Sequence, residues 1–386
     1  MAVSRGLKVG IPVSLSGQFR VQGEQALAGL QAWADDANRD GGISVGGPGL
    51  CCPVSLVYYD DASRVALARQ ATETLITVDR VDLLFGPYSS VLAQAAAEVA
   101  EGHGKLLWNQ GGASDTIYQR GYKWVVGVLS PASEYLAGLL PLVRRADPEA
   151  STLAILRASS GEFPRAVSSG VERQAAPLGF RVKLLKEYDP SISDFNSILD
   201  EVERVRPDVL VGVGRIQNDL LLAEYLVKRG GALKAVAVVA APIQQFRDTL
   251  KGESEGFIGP SQWEPAGSYP NDYGPTGAEV LASLESRGHQ PVHYPVDYPM
   301  VQSYAAGLVA QRCVESAGTV EDRALRARAG TEDFSTFYGR FKIDPATGRQ
   351  VGRSVVIIQW QQGRKVIVWP PELSQAELVY PWRGQN

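Results

Sequence analysis

The chain has 386 residues, room for about two to three domains, with 45% hydrophobic and 21% charged residues, an ordinary globular balance. A net charge of −4 and a pI near 5.6, with scattered basic residues, argue against a nucleic-acid surface. No run approaches the roughly 18 apolar residues of a membrane span, and Cys51, Cys52 and Cys313 contain no CxxC pair, so no metal or redox motif is indicated.

The start, MAVSRGLKVGIPVSLSG, goes almost directly into a strand and lacks a signal-peptide pattern. This leaves open a cytosolic chain or one whose leader has been replaced. Residues 7–15 read as a strand closed by Ser16-Gly17, and residues 24–37 as a helix with Leu27, Leu30, Ala34 and Ala37 on one face. Residues 54–59 form the next strand, ending in Asp60-Asp61, and Leu67, Ala71, Leu75 and Val78 the next helical stripe.

The stretch 81–90, VDLLFGPYSS, is the most informative: an apolar strand broken by Gly86-Pro87, then Ser89-Ser90 where a helix N-cap belongs. A strand, a tight turn and a serine-capped helix start aim hydroxyls and backbone N–H groups at one spot, which suits a carboxylate or small anion. Residues 105–108 are a fourth strand, broken by Gly111-Gly112-Ala113-Ser114-Asp115, a second turn of the same kind.

A second series follows residues 125–131. Leu136, Leu139, Leu140 and Val143 lie at helical spacing, and 152–156, 180–187, 208–213 and 235–240 read as strands. Phe195, Ile198, Leu199, Val202 and Val205 make a helix stripe capped by Ser193 or Asp194, and residues 218–229 another helix. Residues 257–265 are extended, 273–287 and 300–316 helical, and 355–360 with 365–369 a β-hairpin. The regular alternation predicts parallel sheets with helices on both faces, in two similar halves of roughly 120 residues.

Familiar catalytic patterns fail. Gly212-Val213-Gly214 follows a strand but lacks the third glycine of a dinucleotide fingerprint, and neither GxxxxGK[ST] nor GxSxG occurs. His289 and His293 stand at i, i+4, but Pro291 between them spoils a helical ligand pair. What recurs is a loop at the carboxyl end of a strand bearing small, hydroxyl or aromatic groups: 14–22, 88–90, 110–114, 159–163, 215–218 and 241–244. In doubly wound sheets those ends form the ligand crevice.

In order and spacing, IPVSLSGQF, GLQAWADDANRDGGI, LVYYDDAS, LLFGPYSSVLAQA, GGASDTIYQRGYKWV, DFNSILDEVERVRPDVLVGVG and DYPMVQSYAAGLV resemble the branched-chain amino acid-binding (Leu/Ile/Val-type) solute-binding proteins of ABC importers. The resemblance covers nearly the whole length. It implies an α/β type I periplasmic binding protein fold, two doubly wound Rossmann-like lobes joined by three crossovers, closing like a hinge on a solute. The crossovers would fall near 128–131, 256–262 and 339–344. Lobe one would then be 1–128 with 262–339, and lobe two 129–261 with 340–386.

By this resemblance Ser90 (or Ser89), Ala113 and Ser114 hold a ligand carboxylate, and Phe163 stands where a tyrosine is usual. With Phe19, Gln22, Gly112, Arg215, Pro242 and Tyr298 they form the candidate ligand-binding set. The implied protein is not an enzyme, needs no cofactor or metal, and acts as a monomer with an ABC permease. It would be periplasmic or extracellular, held at the membrane by a leader or anchor absent from this chain; a cytoplasmic location and a ligand-sensing regulatory role stay open. Two departures matter. The family's acidic residue for an α-ammonium is missing, since 235–246 carries no Asp or Glu, unless Glu162 or Asp219 substitutes; and Arg215 stands where an aromatic is common. A ligand with a second anionic or carbonyl end is therefore expected, unless Arg215 only makes a surface salt bridge. The family's disulfide after the YDDA strand is also missing, since position 63 is Ser.

Overall fold

The structure is a computed structural model and describes residues 6–47, 50–286 and 296–382. In chain order, β1 (Leu7–Val13), α1 (Arg20–Arg39), β2 (Val54–Asp60), α2 (Val65–Thr77), β3 (Leu83–Phe85), α3 (Ser90–His103), β4 (Leu107–Asn109) and β5 (Val125–Gly127) form the first series. The second runs through α4 (Leu139–Ala146), β6 (Thr152–Ala158), α5 (Glu162–Ala175), β7 (Arg181–Tyr188), α6 (Asn196–Val205), β8 (Val209–Val213), α7 (Ile216–Arg229), β9 (Ala235–Val238), α8 (Gln244–Leu250) and β10 (Ile258–Ser261). Then come α9 (Gly277–Ser286), α10 (Tyr298–Ala317), α11 (Asp322–Ala329), β11 (Phe334–Thr336), β12 (Gly339–Phe341), β13 (Val356–Gln361) and β14 (Arg364–Trp369).

The chain divides into two compact units, residues 1–131 with 269–353 and residues 132–268 with 354–386. The second and third crossings thus lie further along the chain than the resemblance placed them. Backbone pairing explains the shift. Gly339–Phe341 is tied into unit 1 by its ladder with Phe334–Thr336, and Gly348 O accepts from Gly127 N at 2.8 Å. Glu264 is held in unit 2 by Lys365 at 3.1 Å.

In unit 1 the sheet order is β2-β1-β3-β4-β5, all parallel. The strands are near-continuous apolar runs because both faces are covered: Val9, Ile11, Leu84, Phe85, Leu107 and Val125 are fully buried. Against this sheet lies a helix pair, α1 with α10, in which Gly29 lets the backbones close. A Cβ there would stand 1.9 Å from Met300 O. Trp33 fills the neighbouring space over Gly307, whose own Cβ would stand 2.2 Å from the indole. Ile43–Ser44 and Cys51–Cys52 add a two-residue pairing, and Cys313 is buried.

In unit 2 the order is β7-β6-β8-β9-β10-β13-β14, parallel up to β10 and antiparallel beyond it. The five parallel strands repeat the order of unit 1, so the expected pair of similar halves is present. The hairpin β13–β14 turns through Gln362 and Gly363, both at positive φ (53° and 72°), the backbone that a two-residue hairpin loop demands.

Several boundaries differ from the periodicity reading. The helix expected over 273–287 begins at Gly277, since Pro275 precedes it. On α2 the buried set is Ala68, Ala71, Thr72 and Leu75, while Val78 lies beyond the helix and is exposed. The β11–β12 hairpin and α11 went unread: the strands are three residues long, and α11 buries only Leu325 and Ala329 among its arginines. His289 and His293 lie outside the described residues.

Replacing Gly29 with alanine forces α1 away from Met300. We expect Gly29→Ala to lower the unfolding free energy by about 3 kcal/mol, the upper end of overpacking costs, as read by urea denaturation with an unchanged m-value.

Candidate functional site

A sheet that begins at β1, adds β2 on one side and then reverses to β3 on the other has a switch point between β1 and β3, where the following loops leave on opposite faces. In unit 1 these loops are residues 14–19 and 86–89; in unit 2 the equivalent gap lies between β6 and β8, at residues 159–161 and 214–215. Ten of the eleven candidate residues sit in or beside the turns of these and the neighbouring strands, Pro242 after β9 among them, while Tyr298 opens α10.

The first loop of unit 1 is fixed by the acidic pair ending β2. Asp60 accepts from Leu15 N at 2.9 Å, Ala62 N at 2.8 Å and the Ser16 hydroxyl at 2.8 Å. Burial pushes its carboxyl up, but these donors outweigh that and hold it below the usual carboxylate range. Asp61 is fully buried and accepts from the Ser14 hydroxyl at 2.5 Å; for it burial wins and its carboxyl is raised. Ser63, where the family's disulfide is missing, is bonded into the loop instead. Its hydroxyl donates to Ser16 O at 2.8 Å and accepts from Phe19 N at 3.0 Å. Gln22 is buried in the first turn of α1.

Phe19 meets the edge of Tyr88 with ring centroids 6.0 Å apart, and the Tyr88 and Tyr298 hydroxyls are 2.7 Å apart. The turns after β1 and β3 and the start of α10 thus share one aromatic group. Burial pushes the Tyr88 phenol up to about 12, so it stays a neutral donor.

The two serine turns meet. Ser90 Oγ accepts from Ser114 N at 3.1 Å, which leaves the Ser90 hydroxyl proton to donate elsewhere. Ser89 is the N-cap residue of α3, yet its hydroxyl makes no capping bond, and its buried Oγ has no partner. The turn after β4 is held by Asn109, whose amide donates to Gly112 O at 2.7 Å and accepts from Gly112 N at 2.9 Å. Gln110 donates to Gly86 O at 2.8 Å. Gly111 lets this turn approach the previous one, since a Cβ there would lie 2.2 Å from Pro87 O. Ala113 and Ser114 are buried beside it.

In unit 2, Phe163 is half-buried at the start of α5, edge-on to Tyr135 with centroids 5.3 Å apart. Arg215 is the N-cap residue of α7 and exposed, and among the described residues it makes no ion pair, so the surface salt bridge is not formed. Asp189 is near enough to feel its charge, although the Ser191 hydroxyl and amide do most to lower that carboxyl. Pro242 is packed into unit 2: a Cβ on Gly259 would meet its ring at 2.6 Å, and its carbonyl accepts from Lys365 at 2.9 Å.

The two acidic substitutes differ in exposure, Glu162 lying at the surface and Asp219 in the interior. Glu162 pairs with Arg165 at 3.4 Å. Asp219, one turn into α7, is 1% exposed and accepts from Ala240 N at 2.9 Å through Oδ2. Burial raises its carboxyl to about 7, against the opposing pull of the Ala240, Gly214 and Val239 amides. Tyr188, the last residue of β7, went unread as a site residue; its hydroxyl and Asp219 Oδ1 are both buried without a partner. Both lie within 2.8 Å of the point that a Cβ on Gly214 would occupy. No group of three His, Cys, Asp or Glu side chains placed to hold a metal occurs among the described residues, and no described helix is long and apolar enough to cross a membrane.

Comparison with known proteins is consistent with these two sheets. A sequence profile of the periplasmic binding protein family matches residues 6–365. The chain belongs to this family. Leu/Ile/Val-binding protein homolog 8 of Brucella abortus (strain 2308) is 26% identical over 242 residues, 60% of this chain and 57% of that protein, so the match spans little over half of that curated relative. Homolog 7 of Brucella suis biovar 1 is 21% identical across 98% of this chain and 95% of its own. Among solved structures, the leucine-binding protein LivK of Thermotoga maritima superposes with a TM-score of 0.79 at 17% identity, covering 94% of this chain and 97% of its own. LivJ of Streptococcus pneumoniae, in complex with isoleucine, gives 0.77 at 16%, with 98% and 100% covered. A solute-binding protein of R. palustris in complex with benzoate gives 0.75 at 18%, with 94% and 95% covered. The fold is the type I periplasmic binding protein fold, as the resemblance implied.

A carboxyl whose folded-state pKa lies above its unfolded value binds its proton more tightly when folded, so stability rises as pH falls between the two values. From about 7 in the fold to 3.8 unfolded, the gain is about 4 kcal/mol. We expect Asp219→Asn to flatten this part of the stability curve between pH 8 and 5; an unchanged slope in urea titrations would place the linked proton elsewhere.

Proposed function

We propose that this protein is the solute-binding receptor of an ABC importer, without enzymatic activity, taking a small solute through its carboxylate. The observation that carries the reading is the meeting of the two serine turns at the switch point of unit 1. The Ser90 hydroxyl, already anchored by Ser114 N, has its proton left for an anion. The N-terminus of α3 adds its favourable dipole.

For the rest of the solute, unit 2 supports an organic acid over a plain amino acid. Arg215 is an exposed cation, while Glu162 is ion-paired and Asp219 is buried and engaged with backbone. An ammonium held without a counter-charge loses several kcal/mol, whereas a second carboxylate, carbonyl or hydroxyl would suit a guanidinium. The benzoate complex of a structurally similar protein supports a carboxylate solute without an ammonium, and the isoleucine complex of another keeps the amino acid as the competing candidate. The receptor would act outside the cytoplasm with a permease, as a monomer. A ligand-sensing domain of the same fold would bind its solute equally well but fail to stimulate any permease ATPase.

Calorimetric titration with isoleucine, benzoate and 4-hydroxybenzoate tests the assignment: saturable heat with an aromatic acid supports it, and binding of isoleucine alone overturns the preference for an acid without an ammonium. Ser90→Ala should weaken the bound acid by about 1–3 kcal/mol, the usual cost of removing a donor from a charged acceptor. Arg215→Ala should change the ranking of the three solutes, and an unaltered ranking would remove Arg215 from the site.

A further inference from the structure

Arg215 and Pro242 lie on different turns of unit 2, after β8 and β9, and one buried side chain reaches both. Asp219 belongs to the helix that Arg215 begins, and its Oδ2 takes the N–H of Ala240, two residues before Pro242. Its other oxygen faces Gly214, the residue before Arg215, together with the Tyr188 hydroxyl from the end of β7. Three successive strand ends therefore converge on one carboxyl group. The absence of a side chain at Gly214 is a condition of the arrangement, since a Cβ would stand 2.4 Å from the Tyr188 hydroxyl and 2.8 Å from Asp219 Oδ1.

We propose that Asp219 is a positioning residue that clamps the turn bearing Arg215 to the turn bearing Pro242, and that solute affinity follows its protonation state. The proposal rests on the reading of these turns as solute contacts. Charge strengthens the clamp because a hydrogen bond to a carboxylate is roughly twice as strong as one between neutral groups. Burial opposes the charge, so the two effects act on different quantities: protonation relieves the desolvation penalty of the whole fold while slackening the tie to Ala240. Tyr188 is the titratable side chain facing the group from β7, and Tyr188 is itself pushed up by burial, so it stays neutral. From α7 the neighbours are Asn218 and the exposed Arg215, and from the β9 side backbone amides face the carboxyl. No charged side chain is among the causes of its shift; burial leads and backbone amides oppose it, placing its titration at about 7.

The test is hydrogen–deuterium exchange of peptides covering 238–242, without solute, across pH 5 to 9 and corrected for intrinsic exchange. In the native protein the Ala240 amide should lose about tenfold protection as pH falls through the carboxyl's titration, the scale of a weakened charge-assisted hydrogen bond. Asp219→Asn keeps an acceptor for Ala240 but no charge, and its protection should stay flat at the low-pH level. A step that persists in Asp219→Asn, or native protection with no step, overturns the proposal. Benzoate titrated over the same range should show a parallel change in affinity in the native protein and none in the variant. Because exchange is read without solute, a failure of benzoate to bind refutes the solute assignment and leaves the clamp to be judged by its own result.

Discussion

The turns of the candidate site follow from the reversal of strand order in the two sheets. Once β1 sits between β2 and β3, the loops leaving β1 and β3 part to opposite faces and leave backbone polar groups uncovered at the carboxyl edge. Such groups are expensive to bury without partners. The chain answers with short polar side chains: Asp60 and Asp61 after β2, Asn109 and Gln110 after β4, Asp219 after β8. They hold in place the turns beside which Ser89, Ser90 and Ser114 stand.

Much of this was visible in the sequence, because the signals are local. Parallel strands buried on both faces are short apolar runs, and the turns that end them are written in Gly, Ser, Asn and Asp. Hence 54–59, 208–213 and the 81–90 stretch were legible, as was the return of the same order in a second half. The β11–β12 hairpin was not, since three-residue strands carry no period, and α11 is stabilised by two buried residues rather than by a stripe. The crossing positions were shifted because they depend on long-range pairings such as Gly127 with Gly348.

The candidate site was legible in its serine turns and less so in unit 2. Arg215 stood out because the family resemblance has an aromatic common at that place. Tyr188 did not, because a tyrosine ending a strand has no distinctive spacing. Its importance comes from meeting Asp219 over Gly214, two residues at least twenty-five positions further along. Pro242, named from its loop, is packed against Gly259 rather than presenting an open ring.

The route of the chain through unit 2 has a bearing on synthesis. Strand β10 shares one register pair with β9, Ala237 with Ile258, but four with β13, which arrives almost a hundred residues later after the chain has completed unit 1. Until residues 356–361 leave the ribosome, β10 presents an unsatisfied edge, and Pro260 within it is a poor template for a stray strand. Residues 356–361 thus act as a structural lock: unit 2 cannot close its sheet before the chain has passed through all of unit 1.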